Sequence, residues 1–217
     1  MKNNFRIVLN IDNVGYEYDS ESIQNITVQQ SLGSQISKPS YGITSQTANI
    51  KLIDKDKSIF YILKNNSKTK INVDIYLNNN IIAHYVSDNI SYKYSDSITT
   101  ISLSDDMMKL KNFTTPYYKL GGIKEIFNET SGEVEKSGEP FPLSTLISTL
   151  FSDTLNIIGS NYILSIDPFT QDIINNIYLN GAYLEQDTYW KNWNKIAQCG
   201  LFNIYLSGNK FIIRRVI

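Results

Sequence analysis

The residues that could do chemistry are few and scattered. His84 is the only histidine and Cys199 the only cysteine among 217 residues. His84 sits in an apolar run, Ile81 to Val86, and one imidazole in such a run reads as a structural histidine rather than part of a Ser–His–Asp arrangement. Cys199 falls late on an amphipathic pattern, where a small buried hydrophobe is expected, and a lone cysteine excludes an internal disulfide framework or a multi-cysteine metal site. The acidic pairs Asp105-Asp106 and Glu133/Glu135 stand at a helix start and in a charged loop, so capping and solvation account for them without a glycosidase pair. Asp54-Lys55-Asp56 has the first spacing of a calcium loop but lacks its glycine and distal glutamate. Gly121-Gly122 lacks a phosphate-loop lysine. The expectation is a protein with no catalytic residue, no cofactor and no metal.

The elements that would position these residues are mostly strands. Ile71, Val73, Ile75 and Leu77 alternate with Asn72, Asp74 and Asn78, the period of a strand with one buried face. Asn78-Asn79-Asn80 suits a hairpin turn. Ile81 to Val86 returns, Ser87-Asp88-Asn89 reads as another turn, Ile90, Tyr92 and Tyr94 alternate, and Ser95-Asp96-Ser97 leads to a strand with Thr99, Ile101 and Leu103 inward. Four strands joined by short polar turns predict an antiparallel meander. Ser104-Asp105-Asp106 then opens a helical turn carrying Met107, Met108 and Leu110. Upstream, Phe5 to Ile11, Ile23 to Leu32 and Ala48 to Leu52 read as strands, Gly33 to Gly42 as a long loop, and Ser58 to Leu63 as a helical turn or irregular return. Turns at such intervals predict an antiparallel β-barrel or sandwich over residues 1–112.

Composition fits a soluble globular chain: 41% hydrophobic, with a formal charge of −1. That balance gives no electrostatic reason to expect a nucleic acid or an anionic membrane as partner. No apolar run reaches the ~18 residues of a membrane span, and the first residues do not read as a signal peptide, so the expected product is made and kept in a cytoplasm.

After Asn112 the character changes. Residues 113–142 hold Gly121-Gly122, Gly132, Gly138, Pro140 and Pro142 around the charged run Glu133 to Glu139, which reads as a linker or loop excursion. Residues 143–217 read as a small α+β domain. Leu143, Leu146, Ile147, Leu150 and Phe151 have helical spacing, and Tyr162 to Ile166 is a brief strand closed by Asp167-Pro168. Asp187-Thr188 caps a helix with Trp190, Trp193, Ile196 and Ala197 on one face and Gly200 as its stop. Phe202, Ile204 and Leu206, with Phe211 and Ile213, make a hairpin across Ser207-Gly208-Asn209.

In order and pattern, these segments resemble the hub proteins of phage tails and related contractile injection machines. The matching segments are Ala48-Asn49-Ile50-Lys51-Leu52-Ile53-Asp54, Ile71 to Leu77, and Ile101-Ser102-Leu103-Ser104-Asp105-Asp106-Met107-Met108-Lys109-Leu110. Leu143 to Leu155, Trp190-Lys191-Asn192-Trp193-Asn194-Lys195-Ile196-Ala197 and the hairpin Phe202 to Arg215 follow in the same order. Hubs continue through a further barrel where this sequence stops at Ile217, so the expectation is a truncated or smaller member.

The resemblance implies a structural baseplate component, assembled in the bacterial cytoplasm and incorporated into the tail. It would join tail tube to spike as a homotrimer, with tube, spike or other baseplate proteins as partners. The rival reading is a carbohydrate- or receptor-binding module of the tail tip, for which Tyr16, Tyr18, Tyr41, Tyr92 and Tyr94 form the candidate platform. A peptidoglycan-cleaving tail enzyme is disfavoured by the single histidine and the absence of convincing carboxylate pairs. The simplest arrangement packs the face of Trp190 and Trp193 on the hairpin as core, and the alternative is that one of these two stays exposed as an interface anchor, since aromatics concentrate at interface centres.

Overall fold

The structure, a computed structural model, describes residues 5–30, 41–66, 71–116, 118–122, 124–137, 139–184 and 186–215. Parts of the Gly33–Gly42 loop and of the Gly132–Gly138 run fall outside these residues. The chain divides into two compact units. The first is Met1–Ser34, Thr44–Met108 and Tyr205–Lys210; the second is Gln35–Ile43, Lys109–Ile204 and Phe211–Ile217.

Most of the first unit is one antiparallel sheet. Its strands are β1 (Phe5–Ile11), β2 (Val14–Asp19), β3 (Ile23–Gln30), β5 (Gln46–Ile53), β6 (Asn72–Leu77), β7 (Asn80–Lys93) and β8 (Ile98–Ser104), while the two-residue β4 (Gly42–Ile43) belongs to the second unit. Across the sheet the order is β2-β1-β6-β7-β8-β5-β3. Period-two burial sets the register: Ile7, Leu9, Ile50, Leu52, Val73, Ile75, Ile101 and Leu103 all face one core. Helix α1 (Ser58–Asn65) adds Ile59 and Leu63 to it. The two-residue turns Asp12-Asn13 and Asn78-Asn79 both have positive φ at each position, the backbone whose twist matches paired strands.

Three expectations need correction. The sheet is antiparallel as expected but not a closed barrel, because its edge strands β2 and β3 do not pair among the described residues. Only Ser20, Glu21 and Ser22 join those edges, so their linked ends lie at most about 14 Å apart and the sheet is rolled with an open seam. A groove of about 510 Å³ is lined by Ser20 of that link and, among others, by Phe5, Ile23, Ile26, Val28, Ile75 and Ile82. Second, β2 was not anticipated; Tyr16 and Tyr18 pack on the core opposite Leu9 and Ile7. Third, Ser87-Asp88-Asn89 is not a turn. β7 runs unbroken for 14 residues, pairing β6 with its first half and β8 with its second. The register shift between Ser87 and Asn89 marks a bulge, which bends a strand without ending it.

The long segment of the second unit starts at Lys109, within a 3-10 helix, Asp106–Lys111. The unit's strands are β9 (Tyr118–Gly122), β10 (Lys124–Asn128), β11 (Glu133–Ser137), β12 (Phe141–Pro142), β13 (Ile163–Ile166), β14 (Tyr178–Leu179), β15 (Gly181–Leu184), β16 (Phe202–Ser207) and β17 (Lys210–Arg215), of which the tip Tyr205–Lys210 belongs to the first unit. Its helices are α2 (Leu143–Ile158), α3 (Pro168–Asn176) and α4 (Tyr189–Gly200). The charged run expected to be loop carries a hairpin, with β10 antiparallel to β11. Asp167-Pro168 follows directly on β13, as expected, and also begins the next element. Asp167 accepts the N–H of Thr170 and Pro168 takes the first helical position, so the pair starts α3. A four-stranded sheet, β13-β17-β16-β4, supplies Phe202, Ile204, Phe211 and Ile213, all fully buried. α2 contributes Leu143, Leu146, Ile147 and Leu150 to the buried residues.

Candidate functional site

The polar residues singled out in the sequence are held in structural roles. Register places His84 opposite Asp74, and Nδ1 lies 2.6 Å from Asp74 Oδ1. Asn10 donates to the other oxygen of Asp74 at 2.8 Å, and His84 Nε2 stands 3.9 Å from Asp106 Oδ2. The imidazole is thus fixed between two carboxylates.

Asp54 is a helix cap. Its carboxylate accepts the N–H groups of Ile59 (3.1 Å) and Phe60 (2.9 Å) and the hydroxyl of Thr99 (2.6 Å). Those bonds use the oxygens a calcium loop would need. Asp105 is buried, with Oδ2 accepting the N–H of Gln46 at 2.7 Å and Oδ1 without a hydrogen bond. Burial, aided by the charge of Asp106, pushes its pKa up to about 7. Cys199 is exposed, contrary to expectation, because α4 buries Ile196, Ala197 and Gly200 on a face that excludes it. Gly121-Gly122 ends β9, which pairs with β15.

The aromatic candidates divide. Tyr16 and Tyr18 line the core of the first unit, and burial raises the Tyr18 pKa. Tyr92 and Tyr94 contact each other edge to face, 5.0 Å between centroids. Tyr41 belongs to the second unit and is half-buried.

α4 carries the tryptophans. Thr188 caps it by accepting the N–H of Lys191, and Asp187 pairs with the Lys191 ammonium at 3.1 Å. The crossing segment pins this end: Phe113 O accepts the N–H of Tyr189, Asp187 O that of Thr115, and Asn192 donates to Thr115 Oγ1 at 2.7 Å. Trp193 has no exposed surface, donates Nε1–H to Thr154 Oγ1 at 2.8 Å, and lies 5.0 Å from Phe211. An enclosed side chain cannot meet a partner, so Trp193 takes the core role and not the alternative role at an interface. Trp190 is half-buried, and Lys111 Nζ stands 4.4 Å from its ring centroid. Nearby in the chain, Phe113 leaves half its surface in solvent. The buried face of α4 is Tyr189, Asn192, Trp193, Ile196 and Ala197. Sequence reasoning missed Tyr189 and Asn192, the latter because a polar residue is legible as core only once its partner, Thr115, is known.

No helix among the described residues is long and apolar enough to cross a membrane. No protein-family model matches the chain, and no curated protein does. Its fold, however, matches solved structures. A tail protein from Neisseria meningitidis MC58 superimposes with a TM-score of 0.53 at 10% identity, covering 96% of this chain and 50% of that one. The 43 kDa tail protein of prophage MuSo2 from Shewanella oneidensis gives a TM-score of 0.53 at 10% identity, covering 96% and 52%. The chain therefore has the fold of phage tail proteins and spans about half the length of those it matches.

Proposed function

We propose that this protein is a structural component of a phage tail or a phage-tail-like contractile particle, of baseplate-hub type, joining the tail tube to the spike. The observation carrying this reading is the fold likeness to two tail proteins over 96% of the chain. The polar groups act instead as caps and hydrogen-bond partners, as with Asp54 and the His84–Asp74 pair. In this reading the protein works by holding neighbours, as a trimer, and Trp190 with Lys111 belongs to the surface that holds them. The particle is assembled in the bacterial cytoplasm.

The test is to co-express the chain with the tube and spike proteins of its own particle and measure complex mass by light scattering. A defined complex with a trimer of this chain supports the reading. A chain that stays monomeric and joins neither protein overturns it. The carbohydrate- or receptor-binding reading is separated by the same sample, since it requires saccharide or receptor binding by the chain without tube or spike.

A further inference from the structure

α1 and the end of β7 carry a run of aromatic rings on the first unit. Phe60 lies 5.8 Å from Tyr61 and 5.4 Å from Tyr92, and Tyr92 lies 5.0 Å from Tyr94 at an interplanar angle of 87°. Tyr61 is 51% and Tyr94 72% exposed, unusual for rings that could pack inward.

Two ammonium groups rest on these rings. Lys57 Nζ stands 4.5 Å from the Tyr94 centroid and 5.8 Å from that of Tyr92, and Lys64 Nζ stands 5.5 Å from that of Phe60. Among the described residues neither ammonium has a carboxylate within ion-pair distance, whereas Lys93 alongside is paired with Asp96. Lys57 also takes left-handed backbone, φ 64°, a conformation unfavourable for a non-glycine residue. The N-terminus of α1 is itself occupied, because Asp54 accepts its first free N–H groups and Asp56 binds Ser58.

We propose that this surface docks an acidic segment of a partner protein. Its carboxylates would meet Lys57 and Lys64, and its apolar side chains would lie against Tyr61 and Tyr94. A cation on a ring face keeps its outward N–H groups available, and exposed tyrosines flanked by unpaired cations complement carboxylates interleaved with apolar groups. The chain as a whole carries a charge of −1, so the attraction belongs to this patch and not to the net charge. A saccharide is the weaker fit. Sugars stack on open, flat ring faces, but lysines cover the faces of Tyr94 and Phe60, and Tyr92 and Tyr94 stand perpendicular. This inference is independent of the hub reading.

The test is a titration of the full chain, followed by fluorescence anisotropy, with a labelled peptide of alternating glutamate and tyrosine. Its glutamine–tyrosine counterpart and maltohexaose, as a competitor, serve as comparisons. The acidic peptide is expected to bind saturably and to weaken at least about tenfold between ~0.05 M and ~0.5 M salt. Lys57→Gln, Lys64→Gln and Tyr94→Ala should each weaken it by about fivefold. Lys210→Gln, at an exposed lysine that opens β17, should leave it unchanged. All four are surface changes, and thermal melts confirm that each variant folds; Lys64→Gln alone suffices if Lys57 proves structural. The proposal is overturned if the acidic peptide does not bind, if the glutamine peptide binds as well, if the substitutions have no effect, or if the saccharide competes.

Discussion

The indole N–H of Trp193 donates to Thr154 Oγ1 at 2.8 Å across 39 residues of chain, and both residues have no exposed surface. Thr154 in turn donates to Leu150 O at 2.7 Å, so one hydroxyl ties α4 to α2. Thr154→Val keeps the shape and leaves a buried donor without its partner, with an expected cost of about 1–3 kcal/mol. Trp193→Ala removes the ring against Phe211 and should cost about 3–5 kcal/mol. Urea denaturation of both variants checks the pair; a Thr154→Val chain as stable as the parent would show that the indole finds another acceptor.

Trp190 should behave in the opposite way. It is half-buried and its ring holds Lys111 from outside, so Trp190→Ala is expected to lower stability by about 1 kcal/mol or less. The same variant should fail to join the tube–spike complex. Melting temperature and complex mass, measured on one preparation, separate the outcomes. A large drop in melting temperature makes Trp190 core, and normal assembly removes it from the interface.

Asp105 gives the fold a pH dependence with a definite sign. In the folded chain it keeps its proton to about pH 7, whereas its ordinary value is 3.8. Between those limits the folded state binds more protons than the unfolded one, so this group's contribution falls as pH rises through that window and is constant above it. The loss is at most about 4 kcal/mol. Asp105→Asn should flatten this limb and be more stable than the parent at about pH 8, as measured by denaturant titration at about pH 5 and about pH 8. Parallel pH profiles for the two chains would count against the assignment.

Gly200 is selected by space rather than by backbone freedom. The left-handed residue ending α4 is Leu201, φ 57°, while a Cβ on Gly200 would stand inside the ring of Phe202. Phe202 is fully buried and has nowhere to swing. Gly200→Ala is therefore expected to destabilise by about 1–3 kcal/mol or more, and Gly208→Ala, where a Cβ would meet only Ile81 O at 3.8 Å and the strain is that of φ 57°, by less. Equal effects in thermal melts would contradict the packing argument.

What the sequence disclosed was local. The alternation in β5, β6 and β8, the Asn78-Asn79 turn, the spacing of α2 and the Thr188 cap were all readable, because each depends on neighbours within a few residues. Polar Ser87-Asp88-Asn89 has the composition of a turn, and only pairing with β6 and β8 makes it a bulge. Asp167-Pro168 was legible as the end of a strand, and its second role as the start of α3 depends on Thr170, whose N–H the Asp167 side chain accepts. Whether the sheet closes was beyond reach, since it depends on two edges that the sequence places side by side and the sheet order sets apart. At the surface, Tyr92 and Tyr94 were legible as a pair, but Phe60 and Lys57 reach them only through the packing of α1.

The strand order also fixes when this sheet can exist during synthesis. β1 finds β6 only across Phe5–Leu77, and β5, which holds β3, finds β8 only when Ser104 has been made. The first hairpin and the β3–β5 pair can form early, but nothing joins them laterally until β6, β7 and β8 emerge. Nascent chains shorter than that carry two unjoined strand pairs with apolar faces open, the species most prone to pair with one another. Folding should thus be slow and late for a unit of this size, with closure of long loops as its barrier. Ribosome-bound chains arrested before and after Ser104 should differ abruptly in protease resistance.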